Sequence, residues 1–528
     1  MFRLLLALLL PIMAFAVDAA PLLSGLSADE RSARLAALEA LATSRDPRAA
    51  IFLEDYRQGS AYRLADGTIV LVPELKDGIG QPLNALSRAP FGAPLPEAQL
   101  TALEVSGPER KAATAAITRL RVTDPDPAVR LAAVTKAGDA GGALNRLALA
   151  ELQPTETDPA IVRSIAEGLG LIDLADGDDA AKLAAADALG ALKSLRAREQ
   201  LTKLAADTGP LAERASVAMG KIDAHQSTVR GIQNVFSGIS AGSILVLMAL
   251  GLSITFGLMG VINMAHGEML MLGAYATLLT QWAFQHFLPP ALLPFYFIVG
   301  IGTGFLAAAI AGWLLELLVI RHLYGRPLET LLATWGISFL LIQAIRLAFG
   351  DNQAVTAPPW LVGGWEPMPD LVLPWNRLFI IIMTIISVTG VVVLFRATRL
   401  GLLLRATVQS RRTAASLGVN TRRIDGITFA FGSGLAGAAG CAITLIGGLK
   451  PDMGQEFIID SFLVVATGGV GNLAGVCCAG FGLGLFNKFL EPVSGAVFAK
   501  VLVLVAVIFF LQWRSQGIFP PKGRLADA

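Results

Sequence analysis

The fold of this chain is decided around residues 257–275, GLMGVINMAHGEMLMLGAY, where Asn263, His266 and Glu268 interrupt an apolar region. Uncharged, apolar sequence precedes this stretch and also follows it. Polar side chains are costly in hydrocarbon and usually face a bundle interior or a water-filled path. The stretch therefore predicts a membrane domain with a route for something small and polar.

Composition divides the 528 residues into two regimes, although the whole is 54% hydrophobic and only 16% charged. Residues 21–230 have the mixed charge and Ala/Leu periodicity of a soluble, mainly helical domain, whereas residues 231–515 consist of long apolar segments broken by polar loops. A net charge of +1 gives no indication of nucleic-acid binding. Neither a disulfide framework nor a thiolate metal site is expected, because all three cysteines lie in apolar segments: Cys441, Cys477 and Cys478.

The first twenty residues have the layout of a secretory signal peptide. Arg3 precedes a short apolar run, and small residues at 17–20 provide a cleavage site. The run is too short to span a bilayer comfortably. An uncleaved anchor is the alternative, and in both cases the soluble half is expected to be extracytoplasmic.

The soluble half is predicted to be helical except for a β-hairpin at residues 62–72, centred on Asp66-Gly67. Two helices are expected to start at Asp-Pro pairs, in TDPDPAVRLAA (123–133) and TDPAIVR (157–163), where Asp caps the helix and Pro occupies its first turn. Their recurrence resembles HEAT-type repeats of stacked helical pairs. The half contains no catalytic constellation, so a binding or docking surface is expected, with stabilisation of the membrane half as the alternative.

The fold class is predicted to be all-α, with a membrane half of about eight or nine membrane elements, some of which enter without crossing. The seventh segment is long enough to hold a break near residues 468–472, GGVGN, and therefore two short elements. The uncharged or nearly uncharged segments run over 235–258, 269–285, 287–315, 329–345, 378–395, 426–449, 461–487 and 497–513.

Loop charges predict the orientation of these segments. If the soluble half is outside, the loops on the cytoplasmic side carry most of the arginines, whereas residues 351–375 contain three acidic residues and no Lys or Arg. The positive-inside rule therefore agrees with the signal peptide. The tail at 516–528 is expected in the cytoplasm, and the Asn263 region is expected to begin near the cytoplasmic face, at an inner gate or a helix break.

The most basic loop, residues 401–424 with sequence GLLLRATVQSRRTAASLGVNTRRI, predicts a short cytoplasmic helix. Ala406, Ala414 and Leu417 are available for packing, and Gly418 ends the helix. Such a helix could dock in a groove on a cytoplasmic partner. The alternative is an ordinary positively charged loop.

Two motifs, GVINMAHGE (260–268) and RATVQSRRTAASLGV (405–419), resemble the branched-chain amino-acid permease family of ABC importers over about residues 230–515. A secreted helical domain fused to the permease resembles the urea-uptake branch of that family. The resemblance implies a permease subunit in a bacterial inner membrane. Its implied partners are a second homologous permease subunit, a pair of cytoplasmic ATPases, an extracytoplasmic solute-binding protein and membrane lipid.

The resemblance also implies that the arginine-rich loop docks on the ATPase. The residues of this docking segment are Arg405, Ala406, Gln409, Ala414, Leu417 and Gly418. The chain has no Gly-x-x-x-x-Gly-Lys-[Ser/Thr] phosphate loop, so ATP is expected to be used by a partner subunit and no cofactor is expected on this chain.

A path for urea needs hydrogen-bond donors and acceptors without a strong net charge. Each candidate has a structural alternative. Asn263 and His266 could lock a helix break, and Glu268 could cap a helix. Thr334, Ser338 and Gln343 could make helix-packing contacts. The glycines of the break indicate a second interrupted segment of the path, with close helix packing as the alternative. The candidate path or gate residues are Asn263, His266, Glu268, Thr334, Ser338, Gln343, Gly468 and Gly469.

Rival functions are a permease for branched-chain or other amino acids or amides, and a passive urea channel that needs no ATPase. A membrane sensor is disfavoured because the sequence has no sizeable cytoplasmic output domain. An enzyme is disfavoured because neither half contains a metal cluster or a nucleophile motif.

Overall fold

The computed structural model describes residues 19–44, 46–76 and 78–519. Most of the predicted signal peptide, residues 1–18, and most of the predicted tail, residues 520–528, lie outside the described residues. The chain divides into two compact units, Met1–Ser227 and Thr228–Ala528.

The first unit is mainly helical. Both predicted Asp-Pro helix starts are confirmed: the Asp126 carboxylate accepts a hydrogen bond from Ala128 N at 2.9 Å, and Asp158 accepts one from Ala160 N at 2.8 Å. HEAT-type repetition stays a prediction. The helices are α1 (Ala20–Leu23), α2 (Arg31–Thr43), α3 (Pro47–Gln58), α4 (Gly107–Arg121), α5 (Pro127–Ala140), α6 (Ala143–Leu152), α7 (Pro159–Asp176), α8 (Asp179–Leu192), α9 (Arg198–Ala205) and α10 (Pro210–Met259), which continues into the second unit.

Seven short strands lie between α3 and α4: β1 (Ala61–Arg63), β2 (Ile69–Leu71), β3 (Leu75–Lys76), β4 (Ile79–Gly80), β5 (Leu83–Asn84), β6 (Leu95–Pro96) and β7 (Thr101–Ala102). They form two antiparallel sheets with the strand orders β5-β2-β1-β7 and β3-β4-β6. The predicted hairpin is confirmed, since Ala61 pairs with Leu71 and Arg63 with Ile69.

The all-α prediction is wrong for the sequence that follows this hairpin. Strands continue to Ala102 instead of giving way to helix. Proline lacks the N–H that a helix interior needs and clashes with the preceding turn. Prolines recur through this part of the chain, at Pro73, Pro82, Pro90, Pro94 and Pro96.

The second unit consists of helices and one two-stranded hairpin, β8 (Gly364–Met368) with β9 (Leu371–Pro374). The hairpin lies in a loop for which no structure was predicted. After α10 the helices are α11 (His266–Phe287), α12 (Tyr296–Leu318), α13 (Pro327–Phe349), α14 (Trp375–Ala397), α15 (Arg399–Gln409), α16 (Arg411–Ser416), α17 (Thr421–Ile443), α18 (Met453–Gly468), α19 (Leu473–Ser494) and α20 (Ala496–Trp513).

Seven helices of the described chain are long and apolar enough to cross a membrane: α10, α12, α13, α14, α17, α19 and α20. The predicted eight or nine membrane elements correspond to these helices together with α11 and α18. With 16 residues, α18 is about 24 Å long, shorter than the roughly 30 Å hydrocarbon core. The predicted break is confirmed, because α18 ends at Gly468 and α19 begins at Leu473.

Helices α11, α12 and α17 form the centre of the second unit and meet at glycines. A Cβ on Gly304 would lie 3.0 Å from the backbone oxygen of Gly273, and Gly437 abuts both residues. Small residues allow membrane helices to approach this closely. The most apolar part of α17 is accordingly 83% buried, whereas only 17% is buried in the peripheral helices α13 and α20.

Candidate substrate path and coupling loop

The connection between α10 and α11 is a helix break inside the bundle. The Asn263 side-chain oxygen accepts a hydrogen bond from Ala265 N at 3.0 Å, and the side chain is fully buried. The buried ring of His266 lies with Nε2 3.2 Å from the Met248 carbonyl oxygen. Because a carbonyl only accepts, Nε2 carries the proton and donates. These two hydrogen bonds agree with the helix-break lock considered for this pair.

His266 contacts α10 well before the end of that helix. Met248 precedes the last residue of α10, Met259, by roughly 16 Å along the helix axis. The chain therefore turns back into the bundle before α11 begins. That the polar group begins near the cytoplasmic face stays a prediction, and the structure adds that the connection re-enters the bundle.

Glu268 lies in the first turn of α11 and is hydrogen-bonded to α13. Ser338 Oγ donates to Glu268 Oε1 at 2.6 Å, and both side chains are buried. One turn earlier on α13, Thr334 Oγ1 accepts a hydrogen bond from Met264 N at 3.1 Å. No side-chain cap is present at the start of α11. Glu268 lies in the first turn of α11, where the helix dipole favours an anion, so its capping role stays a prediction. Thr334 and Ser338 make specific polar contacts instead of ordinary packing contacts.

Three polar atoms of this cluster have no hydrogen-bond partner among the described residues: Asn263 Nδ2, His266 Nδ1 and Glu268 Oε2. A buried donor or acceptor left unsatisfied costs about 1–3 kcal/mol. Asn263 Nδ2 is a donor, and His266 Nδ1 and Glu268 Oε2 are acceptors. His266 faces α10 and Glu268 faces α13, because residues two positions apart lie about 160° apart around a helix. Space at Glu268 depends on Gly454, where a Cβ would lie 2.7 Å from Oε2.

The structure does not bring Gln343 to this cluster. The buried side of α13 carries Thr330, Thr334, Ser338 and Ile342, and the Gln343 side chain is exposed. A residue five positions after Ser338 lies about 140° around the helix from it. Gln343 therefore faces away from Glu268 within this chain.

Gly468 and Gly469 lie at the far end of α18, roughly 21 Å along the helix from Gly454. Residues near the end of the described chain close this break, since Ile518 N donates to Thr467 O at 2.7 Å and Phe519 N donates to Gly468 O at 3.3 Å. The backbone of Gly469 has φ +101°, a conformation that favours glycine. Here the glycines form a structural junction, separate from the polar cluster.

The arginine-rich loop contains two short helices, α15 and α16, where one was predicted. Gly418 follows α16 with φ +86°, so the predicted ending is confirmed. Arg405 and Gln409 are exposed, whereas Ala406 is half-buried. Leu417 is 80% exposed, but Ala414 packs inside the chain and is only 3% exposed. The prediction that both residues are available to a partner is therefore wrong for Ala414.

The first residue of α16, Arg411, ties this loop to the membrane helices. It forms an ion pair with the buried carboxylate of Asp425 at the start of α17, and its guanidinium lies 4.6 Å from the ring centroid of Tyr324. Burial raises the pKa of Tyr324 to about 12, so the phenol is neutral. The sequence analysis missed Asp425, although an acidic residue directly before the apolar segment at 426–449 was the available signal.

The described residues contain no group of three or more His, Cys, Asp or Glu side chains placed to hold a metal ion.

The sequence of the second unit is similar to that of known proteins. A family described as branched-chain amino acid transport system, permease component, matches residues 234–511. The high-affinity branched-chain amino acid transport system permease protein BraD of Pseudomonas aeruginosa is 27% identical over 298 residues, which cover 54% of this chain and 95% of BraD. LivH of Escherichia coli K12, described in the same words, is 26% identical over 305 residues, 54% of this chain and 94% of LivH.

A second kind of permease protein from Escherichia coli K12, LivM, is 25% identical over 305 residues, which cover 52% of this chain and 68% of LivM. No solved structure matches the chain. Residues 1–233 lie outside the family match.

Proposed function

The chain belongs to the family of permease components of branched-chain amino acid transport systems, and we propose that it forms the translocation path for urea in an ATP-driven importer. Its relatives are permease proteins, so it is a transport component and not an enzyme. The observation that carries the proposal is the buried cluster of Asn263, His266 and Glu268, which has unpaired donors and acceptors inside a membrane bundle.

Two features support urea as the solute. The cluster contributes an amide, an imidazole, two hydroxyls and a single carboxylate, a set suited to a neutral molecule that both donates and accepts hydrogen bonds. The first unit also distinguishes this chain from BraD and LivH, which it matches over only 54% of its own length. The names of those relatives favour a branched-chain amino acid as the second candidate solute.

The energy source belongs to other subunits in this proposal. Exposed Leu417, with Arg405 and Gln409 nearby in sequence, would contact a cytoplasmic ATPase, and the Arg411–Asp425 ion pair would transmit its movement to α17. A second permease subunit would complete the path, as the presence of both LivH-like and LivM-like relatives supports. A solute-binding protein would deliver urea from outside.

The proposed orientation places the first unit outside the cell and the C-terminus in the cytoplasm, with the first unit as a docking surface. Labelling of single cysteines by an impermeant maleimide in intact cells tests it. A cysteine at exposed Leu147 should react, and a cysteine at exposed Leu417 should react only after lysis. The reverse pattern would contradict the orientation.

Competition for uptake tests the choice of solute. Energy-dependent uptake of radiolabelled urea by whole cells should be reduced by unlabelled urea and unaffected by leucine. If leucine competes and unlabelled urea does not, the transported solute is the amino acid and not urea.

A further inference from the structure

A groove between α18, α19 and α20 holds charged side chains on helices of the membrane unit. Lys500 Nζ lies 3.3 Å from Glu456 Oε2, and Asp460 follows Glu456 by one helical turn. Asn487 also lines the groove and contributes a side-chain amide. We call this feature the α18–α20 groove. Its other walls are aliphatic and include Leu245, Ile459, Leu463, Leu483 and Leu504.

These charges are not suited to a lipid-facing surface. The side chains of Glu456 and Lys500 are 71% and 52% exposed, whereas neighbouring exposed residues of α20 are Phe498 and Leu502. An ionised side chain is costly in hydrocarbon and is normally found beside a water-filled cavity or a polar partner. Glu456 is the fourth residue of α18 and Lys500 the fifth of α20, so the charged part of the groove lies near the starts of these helices, where ionised side chains can reach water or a polar ligand.

The size and the polar groups of the groove indicate what kind of ligand it could bind. The groove encloses about 280 Å³, slightly less than the roughly 300–1,000 Å³ of pockets for drug-sized ligands, so it suits a small solute. Two carboxylates accept hydrogen bonds, an ammonium donates, and an amide does both. A solute with N–H donors at one end and a carbonyl or carboxylate at the other complements this set.

We propose that the α18–α20 groove is a solute-binding site of the import path, in which Glu456 and Asp460 bind the solute's N–H groups while Lys500 and Asn487 bind its carbonyl or carboxylate oxygen. Urea and an aliphatic α-amino acid share this chemistry. The inference rests on the proposed function and adds a site that lies apart from the Asn263–His266–Glu268 cluster.

One short helix connects the two sites. On one side of α18, Gly454 and Ile458 pack against the start of α11, where a Cβ on Gly267 would lie 3.2 Å from Ile458 Cβ. On another side of the same helix, Glu456 and Asp460 line the groove. A displacement of α18 by a bound solute would therefore change the packing around Glu268 directly.

The test measures initial uptake of radiolabelled urea, and separately of radiolabelled leucine, in whole cells that contain the complete transporter. Asp460→Asn and Lys500→Met remove one charge each with little change in size. Each variant should raise the KM for the transported solute about tenfold or more, because it loses a hydrogen bond to a charged group. Asp460→Glu and Lys500→Arg should restore most of the affinity.

Lys488→Met is the matched control, because Lys488 pairs with Glu491 and does not line the groove. It should leave KM unchanged. A raised KM for urea identifies urea as the ligand of the groove, and a raised KM for leucine identifies the amino acid; both support the site. If Asp460→Asn does not reach the membrane, Asn487→Leu, which removes no charge, carries the same expectation.

An unchanged KM in Asp460→Asn, Lys500→Met and Asn487→Leu, at normal abundance in the membrane, would overturn the site and leave the proposed function standing. Wild-type cells that accumulate neither solute in an energy-dependent manner would instead overturn the proposed function, and the role of the groove with it.

Discussion

Two carboxylates, half-buried Glu156 in the first unit and buried Glu268 in the second, show how differently the two halves of this chain use polar groups. In the first unit, Glu156 accepts hydrogen bonds from the Arg130 guanidinium at 2.6 and 3.3 Å and from the backbone N–H groups of Thr157 and Asp158. In the second unit, Glu268 accepts one hydrogen bond, from a neutral serine, and its other oxygen has no partner. Glu156 is fixed by its neighbours, whereas Glu268 retains capacity for a further ligand.

The largest expected effect comes from Glu268. Replacing Glu268 by Leu removes the acceptor, leaves the Ser338 hydroxyl unpaired and makes the cluster apolar. Since a hydrogen bond to a charged group contributes about 1.5–3 kcal/mol, solute uptake should fall roughly 10- to 100-fold. Initial uptake rates, normalised to chain abundance in the membrane, measure this effect. Undiminished uptake would show that Glu268 is a structural group like Glu156.

A smaller but still substantial effect is expected in the arginine-rich loop. Leu417→Glu places a charge on a side chain that is 80% exposed in this chain and that the ATPase would bury. Loss of a buried leucine contact costs about 1.5–3 kcal/mol, so association with the ATPase should weaken about tenfold or more. The amount of ATPase that co-purifies with the chain measures this association. Leu328→Glu, on an equally exposed leucine at the start of α13, is the matched control and should associate normally.

If both leucine variants retain the ATPase, the docking surface lies elsewhere. If both lose it, the effect is not specific to the loop.

The first unit should respond to pH through Glu156. The Arg130 guanidinium and the neighbouring backbone N–H groups lower the pKa of Glu156 to about 2, from an ordinary value of 4.5. Because the folded-state pKa is depressed, the stabilisation is present above pH 4.5 and is lost as the pH falls toward 2. Hydrogen exchange at Thr157 and Asp158 in the full chain should therefore be faster in Glu156→Gln than in wild type at pH 7.

That difference should shrink as the pH falls below 4.5 and vanish only below pH 2, once the solution-pH dependence of intrinsic exchange is removed. A difference that is constant with pH would mean that the charge of Glu156 does not stabilise this segment. Uptake at neutral pH should keep its wild-type KM in Glu156→Gln, in contrast to the Glu268 variant.

The smallest effect is expected at Gln343. Gln343→Leu changes an exposed residue of α13 that points away from Ser338, so uptake and abundance should match wild type. A loss of uptake as large as that of Glu268→Leu would place Gln343 on a path surface completed by another subunit.

Local signals in the sequence were sufficient for the helices and their ends. The Asp-Pro caps, the hairpin at Asp66-Gly67, the break after Gly468 and the ending at Gly418 each depend on a few adjacent residues with a strong backbone preference. The family motifs likewise identified the permease unit, because both are contiguous. Strands β3 to β7 escaped prediction because each is only two residues long and their pairing is set by turns.

The partners of the site residues could not be predicted, because they lie far apart in the sequence. Ser338 is separated from Glu268 by 70 positions, and Lys500 from Glu456 by 44. Helical periodicity shows that Thr334 and Ser338 share a face but does not show which face is buried. The same limitation led the sequence analysis to place Gln343 in the path and Ala414 on the partner surface.

Uptake by the complete importer, reconstituted in proteoliposomes with its binding protein, tests most directly whether Glu268 and its neighbours form part of an energised solute path. We expect the wild-type importer to accumulate radiolabelled urea above the external concentration only when ATP is supplied to the ATPase side. The Glu268→Leu importer should hydrolyse ATP but accumulate roughly 10- to 100-fold less urea. Equilibration of urea without ATP, at the same rate in wild type and in Glu268→Leu, would contradict both the importer and the role of the cluster.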